Sequence, residues 1–375
     1  MKIQVATLMI SSSESDSNLY YATEFLAPDP FIFIQIGDEK IIIMSDLELD
    51  RAKLQAKVSA ALSYSGYEES AKNSGTESPN TIDVLHEFLK ERGIKSLVVP
   101  AYFGIRNALL LQDKGYDIEV KPDPFIEGRL IKSNDEIRYI EEALRLTECA
   151  VGRGMDFIRQ TKIRDGYLYS GNKNITSEDV KKKIDISLLE NSMIAQHTIV
   201  ACGEDSSFPH NEGSGALRAN VPIIIDVFPR SVKSRYYADI TRTVVRGTAS
   251  DELKRMFDAV SAAQEVAFSM IKDGVNGKDV HESILLHFKN SGFESGEIDG
   301  RMQGFFHGTG HGVGLEVHEP PRISKKMDTL RTGHVVTVEP GLYYKGIGGV
   351  RLEDMVVVRP DGVINLTKSP KILEL

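Results

Sequence analysis

The sequence His307–Arg322, HGTGHGVGLEVHEPPR, brings three histidines and an arginine together within sixteen residues. Glycines separate these side chains, and a residue without a Cβ lets the backbone and a metal or substrate approach each other closely. The stretch therefore predicts the centre of a metal-dependent active site.

The composition is that of an ordinary globular protein. Of the 375 residues, 41% are hydrophobic and 26% are charged, so neither disorder nor a membrane class is expected. A membrane span needs an apolar run of about 18 residues, and no run in the sequence is that long. The N-terminus makes a poor signal peptide, so a cytoplasmic location is expected. The net charge of −9 argues against nucleic acid as a partner, because phosphate binding needs a concentrated basic surface. Cys149 and Cys202 lack the spacing of a disulfide framework or a thiolate metal site.

The first 130 residues are expected to form an alternating α/β domain without a catalytic constellation. Two β-branched and aromatic runs, 31–36 and 40–44, flank a Gly-Asp-Glu turn, which predicts a hairpin. Apolar spacing and composition predict the other elements. These are helices at 46–62 and 81–92, a strand at 95–99 and a loop at 65–79.

A domain boundary is expected near residues 122–133, so that the second domain comprises residues 131–375. Ser133 and Glu136 form a capping box that predicts the start of a long helix. Periodicity predicts the elements that follow. These are strands at 222–227, 236–245, 334–339 and 349–358, and helices at 251–272 and 277–290.

Four carboxylates lie within β-branched runs of the second domain: Asp226, Asp239, Glu339 and Glu353. A buried strand normally carries no carboxylate, and an isolated buried one is too costly to keep ionised. Carboxylates that converge would repel one another unless cations lie between them. Together with the imidazole of His311 they predict a site for two divalent metal ions, which could be Mn²⁺, Co²⁺, Fe²⁺ or a catalytic Zn²⁺.

Each of these residues also has an ordinary structural explanation when it is taken alone. The alternatives are a cap or turn for Asp226, an ion pair with Arg242 or Arg246 for Asp239, a solvent-facing turn for Glu339, and an ion pair with Arg351 or a solvated face for Glu353. His311 could be a core or surface histidine. Only the five residues in this order, with these neighbours, favour a metal site.

The five residues and their surroundings resemble the signature of the pita-bread metallopeptidases. The likeness is carried by Asp226 and Asp239 in D…ADITRT, His311 in HGTGHGVG, Glu339 in VEPG and Glu353 in VRLED. The flanking sequence is similar to the Xaa-Pro peptidase branch, which comprises Xaa-Pro dipeptidase (prolidase) and aminopeptidase P. The resemblance covers nearly the whole chain. It implies an α/β N-terminal domain of the creatinase/prolidase type followed by an α+β pita-bread catalytic domain.

The resemblance also implies a reaction, namely hydrolysis of the peptide bond before a proline at the second position of the substrate. Asp226 would hold one metal, His311 and Glu339 the other, and Asp239 and Glu353 would bridge both. A hydroxide bridging the metals would attack the scissile carbonyl. The family implies a homodimer as well.

Substrate recognition is implied by matches to further family positions. His210 and His318 match two histidines that bind substrate and stabilise the tetrahedral intermediate, and His307 matches a third pocket histidine. Glu339 would also shuttle a proton to the leaving proline nitrogen. Arg322 matches an arginine of prolidase-like members, where a guanidinium can grip the free carboxylate of a dipeptide with two hydrogen bonds. Arg351 is expected to support the metal carboxylates.

The sequence departs from the family pattern between the two aspartates. The step from Asp226 to Asp239 is two residues longer than usual, and the intervening VFPRSVKSRYYA is basic. Two extra residues preserve strand parity, so both aspartates are expected to keep their faces. Asn211 stands where a glycine often follows the substrate histidine.

Prolidase activity on dipeptides is the preferred hypothesis. The alternatives are aminopeptidase P acting on longer peptides, a methionine aminopeptidase, a metal-free hydrolase resembling creatinase, and a non-catalytic binding protein.

Overall fold

The chain is mixed α/β and divides into two compact units. The computed structural model describes residues 4–375. One unit ends at Arg129 and the other runs from Leu130 to Leu375. Across the described residues, no helix is both long enough and apolar enough to cross a membrane.

The first unit is built on one mixed sheet with the strand order β4-β3-β2-β1-β5-β6. Its elements are β1 Val5–Ser11, α1 Ser17–Thr23, β2 Phe31–Ile36, β3 Glu39–Met44, α2 Asp46–Gln55, β4 Ala60–Ser63, α3 Tyr64–Asn73, α4 Thr81–Glu91, β5 Ser96–Pro100, α5 Ile105–Asp113, β6 Asp117–Lys121 and a 3₁₀ turn at Glu127–Arg129. Successive side chains of a strand point to opposite faces. Ile32 and Ile34 therefore pack on one side with Phe88, while Phe33 packs on the other with Phe25.

The predicted hairpin of the first unit is confirmed, since β2 pairs with β3 in antiparallel register with Phe33 opposite Ile42. The helix predicted at 46–62 is wrong in its second half, because the chain leaves the helix and forms β4, which pairs in parallel with β3. The loop predicted at 65–79 is also wrong. Its first part is helix α3, whose Tyr67 packs edge-on against Phe88 of α4 at 5.7 Å between ring centroids. In the first place pairing with β3 overrides the apolar spacing of a helix, and in the second packing against α4 overrides a polar composition.

The second unit places helices against several small antiparallel sheets. Its elements are α6 Asn134–Arg159, β7 Lys162–Arg164, β8 Tyr167–Ser170, β9 Lys173–Asn174, α7 Ser177–Glu190, β10 Met193–Ile194, β11 Ile199–Cys202, a 3₁₀ turn at Gly203–Ser207, β12 Ile223–Val227, β13 Arg230–Ser231, β14 Ile240–Val244, α8 Asp251–Met270, α9 Gly277–Asn290, β15 Gly296–Ile298, β16 Arg301–Gln303, β17 Gly310–Gly312, β18 Glu319–Ile323, β19 Val335–Val338, β20 Gly341–Tyr344, β21 Gly348–Arg351, β22 Asp354–Arg359 and β23 Gly362–Asn365. The capping box is confirmed, because the Ser133 hydroxyl accepts from Glu136 N while the Glu136 carboxylate accepts from Ser133 N.

Two sheets of the second unit carry the site, with the orders β11-β12-β14 and β18-β17-β19-β22-β23. Helices α8 and α9 cover the larger sheet and bury Met256, Val260, Ile284 and Phe288 against it. The helix predicted at 277–290 is confirmed, and the one predicted at 251–272 ends two residues early, at Met270.

Two predicted strands of the second unit are wrong in extent. Regular pairing begins at Ile240, so the strand predicted at 236–245 is limited to β14. The strand predicted at 349–358 is two strands, because β21 pairs with β20 whereas β22 pairs with β19 and β23. The chain changes sheets at Glu353, whose backbone N–H donates to Thr241 O at 3.1 Å. Arg351, Glu353 and Met355 nevertheless all turn toward β14 and its start. Arg351 and Glu353 contact Thr241, and Met355 Sδ accepts from Asp239 N at 3.2 Å.

Candidate active site

The five predicted metal ligands lie within strands or directly beside them. Asp226 lies in β12 opposite Thr241 of β14, and Asp239 immediately precedes β14. His311 is the central residue of β17, Glu339 follows β19, and Glu353 joins β21 to β22. Residues that are far apart in the chain are therefore brought to one place.

The cluster is tightest around Asp239, His311 and Glu353, whose ligand atoms lie within 4.8 Å of one another. His311 Nε2 is 3.7 Å from Asp239 Oδ2 and 3.4 Å from Glu339 Oε1. Asp226 is also buried and lines the same cavity. All five predicted ligands thus face one space.

Burial sets the charges in this cluster. Burial, and then repulsion from neighbouring carboxylates, raises the pKa of Asp239 and of Glu353 well above the ordinary range. Burial also raises the pKa of Glu339 to about 7, against the opposing effect of Arg351. For His311, burial lowers the pKa to about 3, so the ring is neutral and keeps a lone pair for a metal.

A divalent cation fits this donor set. Among the described residues, Oδ1 of Asp226 and Oδ1 of Asp239 are buried without a hydrogen-bond partner. A buried carboxylate oxygen without a partner is costly, and a cation between such oxygens removes both that cost and the repulsion. Carboxylates with one neutral imidazole match the harder first-row divalent metals.

The electrostatics predict that removing one carboxylate stabilises the metal-free protein. The folded protein holds protons at high pKa that the unfolded chain releases above about pH 4, so its stability falls as the pH rises. Glu353→Gln removes the contribution of Glu353 to this loss of stability, whereas those of Asp239 and Glu339 remain. In metal chelator, thermal melts from pH 5 to 8 should show the variant more stable than wild type, with the difference growing with pH.

The comparison of variant with wild type is the control, because all other titrating groups, including the buried histidines, are common to both proteins. With excess Mn²⁺ the wild type should be more stable than the variant, because the variant has lost a metal ligand. A metal-free variant that is less stable than wild type at pH 8 would contradict the electrostatic interpretation.

The predicted substrate residues face the same cavity as the predicted ligands. The cavity has a volume of about 560 Å³, and His210, His307, His318 and Arg322 line it. The His318 ring meets the His311 ring edge-on, with 4.3 Å between centroids. Within residues 4–375 the guanidinium of Arg322 has no hydrogen bond or ion pair, whereas its backbone N–H donates to Asp328.

His307 has a defined tautomer. Its Nδ1 donates to Gly308 O at 2.8 Å, and its Nε2 therefore accepts from the Tyr343 hydroxyl at 3.0 Å. Burial, with Arg351 as the next cause, lowers the pKa of His307 to about 3. The ring is neutral and is held from both sides.

The sequence profile of metallopeptidase family M24 matches residues 138–360. The chain belongs to this family. The Xaa-Pro dipeptidase of Pyrococcus furiosus is 28% identical over 366 residues, which cover 95% of this chain and 92% of that protein. Among solved structures, an X-Pro aminopeptidase from Thermotoga maritima matches with a TM-score of 0.82 at 25% identity, covering 99% of this chain and 98% of that one. The prolidase from Pyrococcus horikoshii matches with a TM-score of 0.78 at 26% identity, covering 99% and 95%.

These likenesses confirm the predicted fold class and the predicted family. The protein is a metallopeptidase with the α/β N-terminal unit and the pita-bread fold of its structural neighbours. The family implies divalent metal ions. The metallopeptidase resembles both a dipeptidase and an aminopeptidase, so the length of its substrates is a separate question.

The network that holds the metallopeptidase's carboxylates centres on Arg351. Its guanidinium donates to Asp226 Oδ2 at 2.6 Å, to the Tyr343 hydroxyl at 2.8 Å and to Thr241 Oγ1 at 3.2 Å. Thr241 in turn donates to Glu353 Oε2 at 2.9 Å. The ordinary explanation that paired Glu353 with Arg351 is wrong, because the arginine pairs with Asp226.

The ordinary explanation that paired Asp239 with Arg242 or Arg246 is wrong as well. Arg242 pairs with Asp354 at 2.9 Å, with both side chains buried, and Arg246 donates to Thr161 O. Neither arginine therefore neutralises Asp239. This carboxylate is left to the group of five candidate ligands (Asp226, Asp239, His311, Glu339 and Glu353), which we call the metal cluster.

Sequence reasoning missed Tyr343 and the role of Thr241. A tyrosine in GLYY and a threonine in ITRT are common in strands and give no signal of their own. The signal that could have found Thr241 is alternation, because residues 239 and 241 of one strand share a face.

The lengthened segment between the two aspartates is well anchored. Arg230–Ser231 forms β13, which pairs with β10. The Tyr236 hydroxyl donates to Glu136 Oε1 at 2.6 Å, and Phe228 lines the cavity. Asp226 and Asp239 both face that cavity, in agreement with the parity argument.

Proposed function

We propose that this metallopeptidase hydrolyses the Xaa-Pro bond of dipeptides. The single observation that carries the proposal is the unpaired guanidinium of Arg322 in the same cavity as the metal cluster. A dipeptide has its C-terminal carboxylate on the proline itself, next to the scissile bond, and guanidinium matches carboxylate with two parallel hydrogen bonds.

Asp226, Asp239, His311, Glu339 and Glu353 would hold two divalent cations, with Mn²⁺ or Co²⁺ preferred. When bound, the cations supply Lewis acidity and lower the pKa of water. The protein's own side chains orient the ligands and set their charge. Arg351 orients Asp226 through an ion pair of 2.6 Å, and the neutral ring of His311 offers its lone pair.

The remaining cavity residues would act on the substrate. Glu339, which lines the cavity, would take up a proton and pass it to the leaving proline nitrogen. His318 and His210 line the cavity and would bind the substrate and stabilise the charge that develops on the scissile carbonyl. Arg322 would fix the carboxylate, which aligns the scissile bond with the cluster.

A second candidate is the release of an N-terminal residue from longer Xaa-Pro peptides. The observation that favours it is the TM-score of 0.82 with an X-Pro aminopeptidase. Longer substrates carry an amide where a dipeptide carries its carboxylate, so Arg322 would have no anionic partner there.

The experiment is hydrolysis of an Xaa-Pro dipeptide and of the matching Xaa-Pro-Xaa tripeptide by metal-stripped protein to which Mn²⁺ or Co²⁺ is restored. Metal-dependent cleavage of the dipeptide at a kcat/KM at least about tenfold above the tripeptide is expected. Equal or better cleavage of the tripeptide would favour the second candidate. Cleavage of neither would refute both.

We also propose the domain assignment and the assembly. Residues 1–130 would be the creatinase/prolidase-type N-terminal domain and 131–375 the catalytic domain. The reason is that all the predicted site residues lie in the second region. A homodimer, which the family resemblance implies, would be tested by light scattering on the purified protein, where a monomer mass would exclude it.

A further inference from the structure

A buried ion pair lies beside the active site and has no part in the chemistry described so far. Lys132 Nζ is 2.9 Å from Glu319 Oε2, and the two side chains are 1% and 3% exposed. A buried pair gives little or no net stability over apolar side chains of similar volume. Its presence here therefore calls for a structural consequence other than stability.

The carboxylate of Glu319 holds a turn. Its Oε1 accepts from Glu316 N at 3.1 Å. A Cβ added to Gly314 would lie only 2.5 Å from Glu319 Oε2, so the backbone of this glycine packs directly against the carboxylate. The segment 314–319, which we call the histidine turn, is thus closed on itself by Glu319. His318 is part of this turn and lines the catalytic cavity.

The histidine turn also reaches the metal cluster through the backbone. Gly314 O accepts from Tyr237 N at 2.8 Å, two residues before Asp239. A shift of the turn would therefore move both His318 and the approach to Asp239.

The lysine end of the pair is fixed to a rigid frame. The backbone N–H of Lys132 donates to Gly333 O at 2.9 Å, and Gly333 N donates to Val358 O of β22 at 3.0 Å. Lys132 directly precedes Ser133, the N-cap of the 26-residue helix α6. The ammonium group is thus held by two elements that do not belong to the turn.

We propose that the Lys132–Glu319 pair positions the histidine turn, so that His318 faces the substrate and Asp239 stays at the metal cluster. Neither residue is among the described residues that line the cavity, so both act through others. The catalytic part of this inference rests on the proposed function, whereas its metal-binding part does not.

The test compares Lys132→Met, Lys132→Arg and the neutral pair Lys132→Met/Glu319→Gln with wild type. The glutamine keeps an acceptor for Glu316 N, so the double variant provides a folded protein if the single one does not fold. Co²⁺ affinity is measured by titration calorimetry, and kcat and KM on an Xaa-Pro dipeptide. We expect Co²⁺ affinity to fall about tenfold to hundredfold in both methionine variants, with kcat falling more than KM rises. Lys132→Arg, which keeps the charge, should recover part of both losses.

The matched control is Lys114→Met. Lys114 pairs with Asp83 at 2.7 Å in the first unit, so its loss should lower the melting temperature without changing Co²⁺ affinity or kcat. Co²⁺ affinity and kcat within twofold of wild type in a folded neutral pair would overturn the proposal. If the wild type binds Co²⁺ but cleaves no Xaa-Pro bond, the proposed function fails, and the Co²⁺ affinities alone decide the positioning role.

Discussion

Replacement of His311 with alanine is expected to lower kcat/KM of the Mn²⁺-reconstituted enzyme by at least about a thousandfold. The imidazole is the only nitrogen donor among the proposed ligands, and its Nε2 lies 3.4 Å from Glu339 and 3.7 Å from Asp239. Without the imidazole, a cation at this position would lose a ligand, and the Glu339 carboxylate would lose its contact with His311 Nε2. Initial rates on an Xaa-Pro dipeptide and calorimetric Mn²⁺ titration measure the two effects.

The control for this variant is His86→Ala, a histidine of the first unit whose Nδ1 contacts the Tyr116 hydroxyl at 2.8 Å. The His86→Ala variant should have the same Mn²⁺ affinity and the same kcat/KM as wild type. Circular dichroism establishes that both variants are folded. If His311→Ala keeps more than about a tenth of wild-type activity at saturating Mn²⁺, His311 is not an essential ligand.

Replacement of Arg322 with methionine is expected to lower kcat/KM for an Xaa-Pro dipeptide about a hundredfold. The change removes a charge-assisted, two-point contact with the substrate carboxylate while the aliphatic stem is kept. Loss of one partner of a buried charge pair costs about 2–5 kcal/mol, which corresponds to this range. Metal affinity should stay unchanged, because Arg322 is not among the proposed ligands.

The substrate supplies the control for Arg322. On the Xaa-Pro amide, which lacks the carboxylate, wild type and variant should have similar kcat/KM values. Arg322→Lys should recover only part of the dipeptide activity, since an ammonium cannot form the two-point contact. An equal loss on dipeptide and amide would show that Arg322 supports the fold of the loop and does not recognise the carboxylate.

Local sequence patterns predicted the elements that depend on local interactions. The capping box at Ser133, the hairpin of β2 and β3, and helix α9 are confirmed because caps, turn residues and apolar periodicity act over a few residues. Local patterns did not predict α3, β4 or the strand break at Glu353. These features depend on partners far along the chain. No local pattern contains that information.

The residues of the candidate site could be predicted for a different reason. Carboxylates in β-branched strands and histidines between glycines conflict with their local surroundings, and such conflicts mark functional sites. The supporting groups follow the local rules and are silent in the sequence. Thr241, Tyr343 and the Lys132–Glu319 pair became visible only through their contacts.

The amino-acid sequence by itself determined the family, the fold class and which side chains are available for metal and substrate, because those are properties of residue type and order. The tertiary structure alone decided which arginine neutralises which carboxylate, since Arg351 contacts Asp226 and Arg242 contacts Asp354. It also showed that Thr241 and Tyr343 join Arg351 in the network around the candidate ligands. Such pairings depend on distances between strands of different sheets, and those distances are set when the helices and sheets pack together.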